Sequence, residues 1–118
     1  MTKVNNHVVW GAPGELVSAY KLLDENGDLV PDLESQTVAK RAQVAKYDFF
    51  FRKGLLLVNP FDQNGELIER EYRVNDFSEV GYELCRKKIP AWLRGKGSKK
   101  NPPDMSLLEK ALVEMAKQ

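Results

Sequence analysis

The sequence predicts an α+β fold in a single domain, mostly helical, with one two-stranded antiparallel hairpin. Three observations point there. Apolar residues recur every three or four positions in three separate stretches, the spacing of helices with one buried face. Between residues 55 and 74, two apolar runs instead flank Asp62-Gln63-Asn64-Gly65, a turn-forming tetrad. Finally, 118 residues, 42% of them hydrophobic, suffice for one core and are too few for two independent ones.

The first helix is expected to start after Pro13, which suits a first-turn position, and to carry Leu16, Ala19, Tyr20 and Leu23 on one face. Asn26-Gly27 would end it, Gly27 taking the left-handed conformation of many helix C-termini. The same Asp24-Glu25-Asn26-Gly27 could instead turn a hairpin between Tyr20–Leu23 and Asp28–Val30; the helix is the preferred reading. Leu29 and Val30, stopped by Pro31, allow only a very short strand. Residues 32–53 are helix-permissive throughout, with Asp32 or Ser35 as N-cap and Gly54 as stop. They form either one long helix or two helices broken near Ala42-Gln43-Val44.

The hairpin follows, with strands at 55–61 and 66–74. In its second strand Ile68, Tyr72 and Val74 alternate with Glu69, Glu71 and Arg73, and Arg70 is the exception on the apolar face. Asn75 or Asp76 then caps a helix with the stripe Phe77, Val80, Leu84 and Cys85, Glu79 completing a capping box with Asp76. Pro90 should end or kink that helix near Ile89. Residues 94–103, rich in Gly, Pro and cations, read as a flexible basic loop. A last helix at 104–117, capped by Asp104 or by the Ser106 and Glu109 pair, presents Leu108, Ala111, Leu112 and Met115.

Charge is distributed unevenly although the net value is only +1. Residues 1–34 carry Lys3 and Lys21 against six acidic residues. Residues 35–53 carry Lys40, Arg41, Lys46, Arg52 and Lys53 against Asp48 alone, and residues 86–100 carry Arg86, Lys87, Lys88, Arg94, Lys96, Lys99 and Lys100 with no acid. Two such segments can build the local positive potential that attracts phosphate backbones; a solvated helix face followed by a solvated loop is the plainer reading of the same residues.

The order helix, short strand, two helices, two-stranded hairpin is that of a winged helix-turn-helix domain. Val38-Ala39-Lys40-Arg41-Ala42-Gln43-Val44-Ala45-Lys46-Tyr47 resembles the helix-turn-helix of bacterial repressors. Ala39 would let two helices approach closely, and Val44 would fill the gap beneath a turn at Gln43, a position usually held by Gly in that family. Arg52-Lys53-Gly54-Leu55-Leu56, then Glu71-Tyr72-Arg73-Val74-Asn75-Asp76-Phe77 with Gly81 and Leu84, looks like the wing and the helix after it. The resemblance covers residues 35–85. It implies a regulator or accessory factor that binds double-stranded DNA. Lys46 and Tyr47 would start the recognition helix, Lys40, Arg41 and Gln43 would lie near the backbone, and Lys96, Lys99 and Lys100 of the basic loop would add phosphate contacts.

A protein-interaction module of the same fold is the alternative, docking through Phe50, Phe51, Leu108, Leu112 and Met115. Three consecutive Phe, 49–51, cannot all point inward from one helix, so at least one is exposed or meets another element. The C-terminal helix offers a contact for a homodimer.

No catalytic set emerges, and no enzyme is expected. His7 is the only histidine and lies beside an N-terminal stretch, residues 1–7, expected to be mobile. One Cys and one His make a poor zinc site, and Gly95-Lys96-Gly97 lacks both the preceding strand and the third Gly of a dinucleotide loop. No cofactor or metal is expected. Cys85, Trp10 and Trp92 are most simply core residues. No apolar run is long enough to span a bilayer, the N-terminus lacks a secretory pattern, and a lone Cys85 calls for no oxidising compartment, so a cytoplasmic location is expected.

Overall fold

A computed structural model describes residues 6–12, 21–23, 29–31 and 33–116. The fold is α+β. Its elements are β1 (Val8–Trp10), β2 (Lys21–Leu23), β3 (Leu29–Pro31), the long helix α1 (Leu33–Arg52), β4 (Tyr72–Arg73), α2 (Glu79–Arg94) and α3 (Ser106–Ala116). The helix expected after Pro13 falls mostly on residues 13–20, outside those described, as do the first five residues of the N-terminal stretch. Where its end is described, the expectation is corrected: Lys21–Leu23 is a strand paired antiparallel with Leu29–Pro31, so the hairpin reading holds there.

Helix α1 settles the second open question. It runs 20 residues without a break, Gln43 included, so the turn of a helix-turn-helix is not formed at that position. The reason is local and tertiary at once. No Gly or Pro interrupts 33–52, and Ala39, Ala42, Gln43, Lys46, Tyr47 and Phe50 fall at helical spacing on one continuous buried side. A turn would tear that side in two. The helix stops at Gly54, whose φ of +73° closes a left-handed cap. Leu55 N–H donates to Phe50 O at 2.8 Å and Gly54 N–H to Phe51 O at 3.1 Å, the paired bonds of a Schellman motif.

The expected hairpin forms only at its tip. Phe61 bridges Leu67, Ile68 N–H donates to Pro60 O at 2.8 Å, and Asp62 Oδ1 accepts from the backbones of Asn64 and Glu66. Outside the tip the chain segments part, which corrects the long strands expected at 55–61 and 66–74. Tyr72–Arg73 pairs with β1, Trp10 opposite Tyr72, while Leu56 bridges Phe77. Burial decides this: Leu55, Leu56 and Tyr72 all enter the core, Tyr72 paired with Trp10 and Leu56 with Phe77.

Trp10 is the centre of that core. Its ring meets Tyr47, Phe50 and Phe77 edge-on, with centroids 4.7, 4.8 and 4.9 Å away, the arrangement aromatic quadrupoles favour. Helix α2 packs against it through Leu84, Cys85 and Ile89. Its N-cap is Ser78, whose Oγ accepts from Gly81 N–H at 2.9 Å, and neither Asn75 nor Asp76. Asp76 instead closes the short 3-10 turn Val74–Asp76 by accepting from Arg73 N–H. Val80, expected on the buried stripe, is exposed. Pro90 does not end the helix: it sits on the outer side while Ile89 and Trp92 are buried on either side of it, and two such burials outweigh one lost backbone bond.

Helix α3 folds back onto α2, with Leu108 and Ala111 buried and Leu112 and Met115 against the core. Asp104 joins the two helices: its carbonyl accepts from Trp92 Nε1–H, its backbone N–H donates to Gly97 O, and its carboxylate accepts from Ser106 N–H.

Candidate nucleic-acid interface

The two basic segments meet on one side of the molecule. Arg41, on the outer side of α1, donates from Nη2 to Lys99 O at 3.1 Å and from Nε to Lys100 O at 3.2 Å. This guanidinium holds the 3-10 turn Gly97–Lys99 and its neighbour Lys100 against α1, so Lys40 and Arg41 lie near Lys99 and Lys100, while Lys96 lines a separate pocket with Trp92, Ser106 and Lys110. The segment at 94–103 is tied down from within as well. Ser98 is buried and donates to main-chain carbonyls of Leu93 and Gly95, which also accept from Lys99 Nζ. Lys99 thereby neutralises the carbonyl end of α2, the place where a cation complements the helix dipole. Lys100 lies 3.6 Å from the Asp104 carboxylate.

Beside these cations runs a groove of about 880 Å³. Val44 and Ala45 of α1 form its floor, Phe61 and Gly65 of the hairpin tip one wall, and Pro102 and Pro103 the other, with Lys40 and Arg41 at the rim. Asp48 also lines it, paired at 2.7 Å with Arg52. Nothing in the sequence marks this groove. It exists only because residues near 61 and near 102 are brought to the same side of α1.

Three expected contact residues are inside the protein, which corrects their assignment to a DNA surface. Gln43 is 3% exposed, Lys46 2% and Tyr47 0%. An unbroken α1 turns these positions toward β1 and α2. Lys46 Nζ sits 4.0 Å over the Trp10 ring and 4.9 Å from that of Tyr47, and burial pulls its ammonium down from 10.5 to about 7 despite the opposing influence of Cys85. Tyr47 donates its hydroxyl to Gly11 O, and burial pushes the phenol well above its ordinary range.

The alternative protein-docking set is corrected in the same way. Phe50 and Leu108 are fully buried, and Leu112 and Met115 are half-buried against their own domain; only Phe51 is exposed. Of the three Phe, one does remain outside. Among the described residues no group of three His, Cys, Asp or Glu is placed to hold a metal ion, and no helix is long and apolar enough to cross a membrane.

Comparison with known proteins finds no family model, no curated protein and no solved structure that matches the chain.

Proposed function

We propose that this chain binds nucleic acid, double-stranded DNA in the first place, along the phosphate backbone through Lys40, Arg41, Lys99 and Lys100. The observation that carries the reading is the clamp of Arg41 on the Lys99 and Lys100 carbonyls, which fuses two distant basic segments into one surface. Affinity then comes from displaced counterions, a term blind to sequence. With Gln43, Lys46 and Tyr47 buried, α1 presents no recognition set for base edges, so the expected role is that of an accessory factor with weak sequence preference.

Lys40→Glu with Lys100→Glu is expected to weaken binding to a 20-base-pair duplex at least tenfold at low salt. The slope of log affinity against log salt should fall by about 2, near one for each phosphate that the two lysines neutralise. Fluorescence anisotropy at two salt concentrations measures both. Wild-type affinity in the double variant, or no duplex binding by the native chain, defeats the reading. The apolar floor of the groove favours a second one, an extended protein segment with acidic flanks, and its binding would survive moderate salt.

A further inference from the structure

On the side of α1 away from the basic face lies a second cavity, of about 580 Å³, between β1, α1 and α2. At 100° per residue, positions 43 and 46 point opposite to the mean direction of 40, 41, 44, 45 and 48, so the two sites share a helix and nothing else. The walls are mostly apolar: Val9, the Trp10 ring, Ile89, Pro90 and Leu93. Into them are set two polar groups, the Lys46 ammonium and the Gln43 amide oxygen, that the described residues leave without an ionic partner and without a donor, respectively. Lys46 Nζ sits against the Trp10 and Tyr47 rings and near Cys85, and no carboxylate or carbonyl partner stands against it among the described residues. Gln43 Oε1, one turn earlier on the same helix, is buried without a donor. Burying an amine without a counter-charge and an amide oxygen without a donor is costly, and native interiors rarely keep such groups without a use.

We propose that this cavity binds a small 2-hydroxy carboxylic acid with an apolar body. The carboxylate accepts from Lys46 and supplies a counter-charge that the described residues lining the site do not. The hydroxyl donates to Gln43 Oε1, and the apolar body lies against Trp10, Ile89 and Leu93. The chemistry excludes close rivals. Phosphate or sulfate asks for several converging donors and gains nothing from apolar walls. An amino acid would set a second ammonium beside Lys46, with Arg86 also on the cavity wall. A hydroxyl gives Gln43 the same donor without the charge. The volume is within the range of small-molecule sites.

The test uses mandelate and 2-hydroxyisocaproate as probes, by titration calorimetry and thermal shift on the full chain. At least one is expected to bind and to raise the melting temperature. Mandelamide, which lacks the negative charge, should bind at least tenfold more weakly than mandelate, and phenylacetate, which lacks the hydroxyl, several-fold more weakly. Lys46→Met should lose at least tenfold in affinity, and Gln43→Leu should abolish the preference for mandelate over phenylacetate. Where Lys46→Met fails to fold, the amide and deoxy comparisons on the native chain decide alone. Neither acid binding at 10-millimolar concentration, on the order of the weakest useful affinity, overturns the proposal. So does a folded Lys46→Met that binds as tightly as the native chain. DNA binding is unaffected by either outcome.

Discussion

Lys46→Met is expected to raise stability at neutral pH by about 2–3 kcal/mol in the absence of ligand. The buried amine is the cause. An ordinary lysine holds its proton up to 10.5, whereas that of Lys46 leaves at about 7, so at neutral pH folding must either expel a proton or bury an unpaired ammonium. That penalty is on the order of 4 kcal/mol, and the attraction of the ammonium to the Trp10 ring offsets about 1 of it. Met matches the length of the aliphatic stem and needs no partner.

The pH dependence gives the same result a sign. Between about 7 and 10.5 the unfolded chain holds the lysine proton and the folded chain does not. Stability therefore rises with pH there, by about 1.4 kcal/mol per pH unit for one proton. The clean window is 7 to 9, because the Cys85 thiol, raised by burial above its ordinary 9.0, acts oppositely once the unfolded thiol ionises. Tyr47 and Tyr72, also raised by burial, oppose the gain above 10. Urea unfolding at pH 7 and 8.5 should show the native chain gaining about 2 kcal/mol and Lys46→Met gaining almost none. Parallel curves would mean that Lys46 keeps its proton in the folded state.

Lys46 also shows where the sequence stops being legible. A lysine inside a basic run reads as solvated. What buries it is Trp10 from β1 and Cys85 from α2, joined by an indole N–H to sulfur bond of 2.8 Å across 75 positions. Helical spacing places Ala39, Ala42 and Phe50 on a common side, but the same spacing includes Gln43 and Lys46, whose polarity argues for the surface. Local chemistry is legible where it is self-contained. Asp62 to Gly65 turns as its residues dictate, and Gly54 stops α1. Pairing fixed by distant partners is not: Tyr72 leaves the hairpin because Trp10 waits on β1. The basic face lies between these cases. Its cations are visible in the sequence as two segments, and the Arg41 clamp that unites them is not.

Gly81→Ala is expected to destabilise the protein by about 3 kcal/mol, against the sign of helix propensity. In an exposed helix interior that change is worth about 1 kcal/mol of stabilisation, so the seat of the residue must outweigh its intrinsic preference. Gly81 lies in the first turn of α2, directly over Leu55. An added Cβ would collide with the Leu55 carbonyl oxygen and come within 3.0 Å of both its carbonyl carbon and its Cβ. Neither partner can swing aside. Leu55 is fixed by the bond from its N–H to Phe50 O, and its carbonyl already accepts from Ser78 N–H at 3.0 Å, the residue that caps α2. Relief would require α2 to lift off the end of α1, loosening the Leu56 bridge to Phe77 and the packing of Leu84. Gly95→Ala is the matched control: its Cβ would meet only backbone oxygens at 3.4 and 3.6 Å, an ordinary contact, and stability should change by less than about 0.5 kcal/mol. Chemical denaturation of the two variants compares them directly. If Gly81→Ala proves as stable as Gly95→Ala, the first turn of α2 does not rest on Leu55, and the junction between the two helices is looser than this geometry requires.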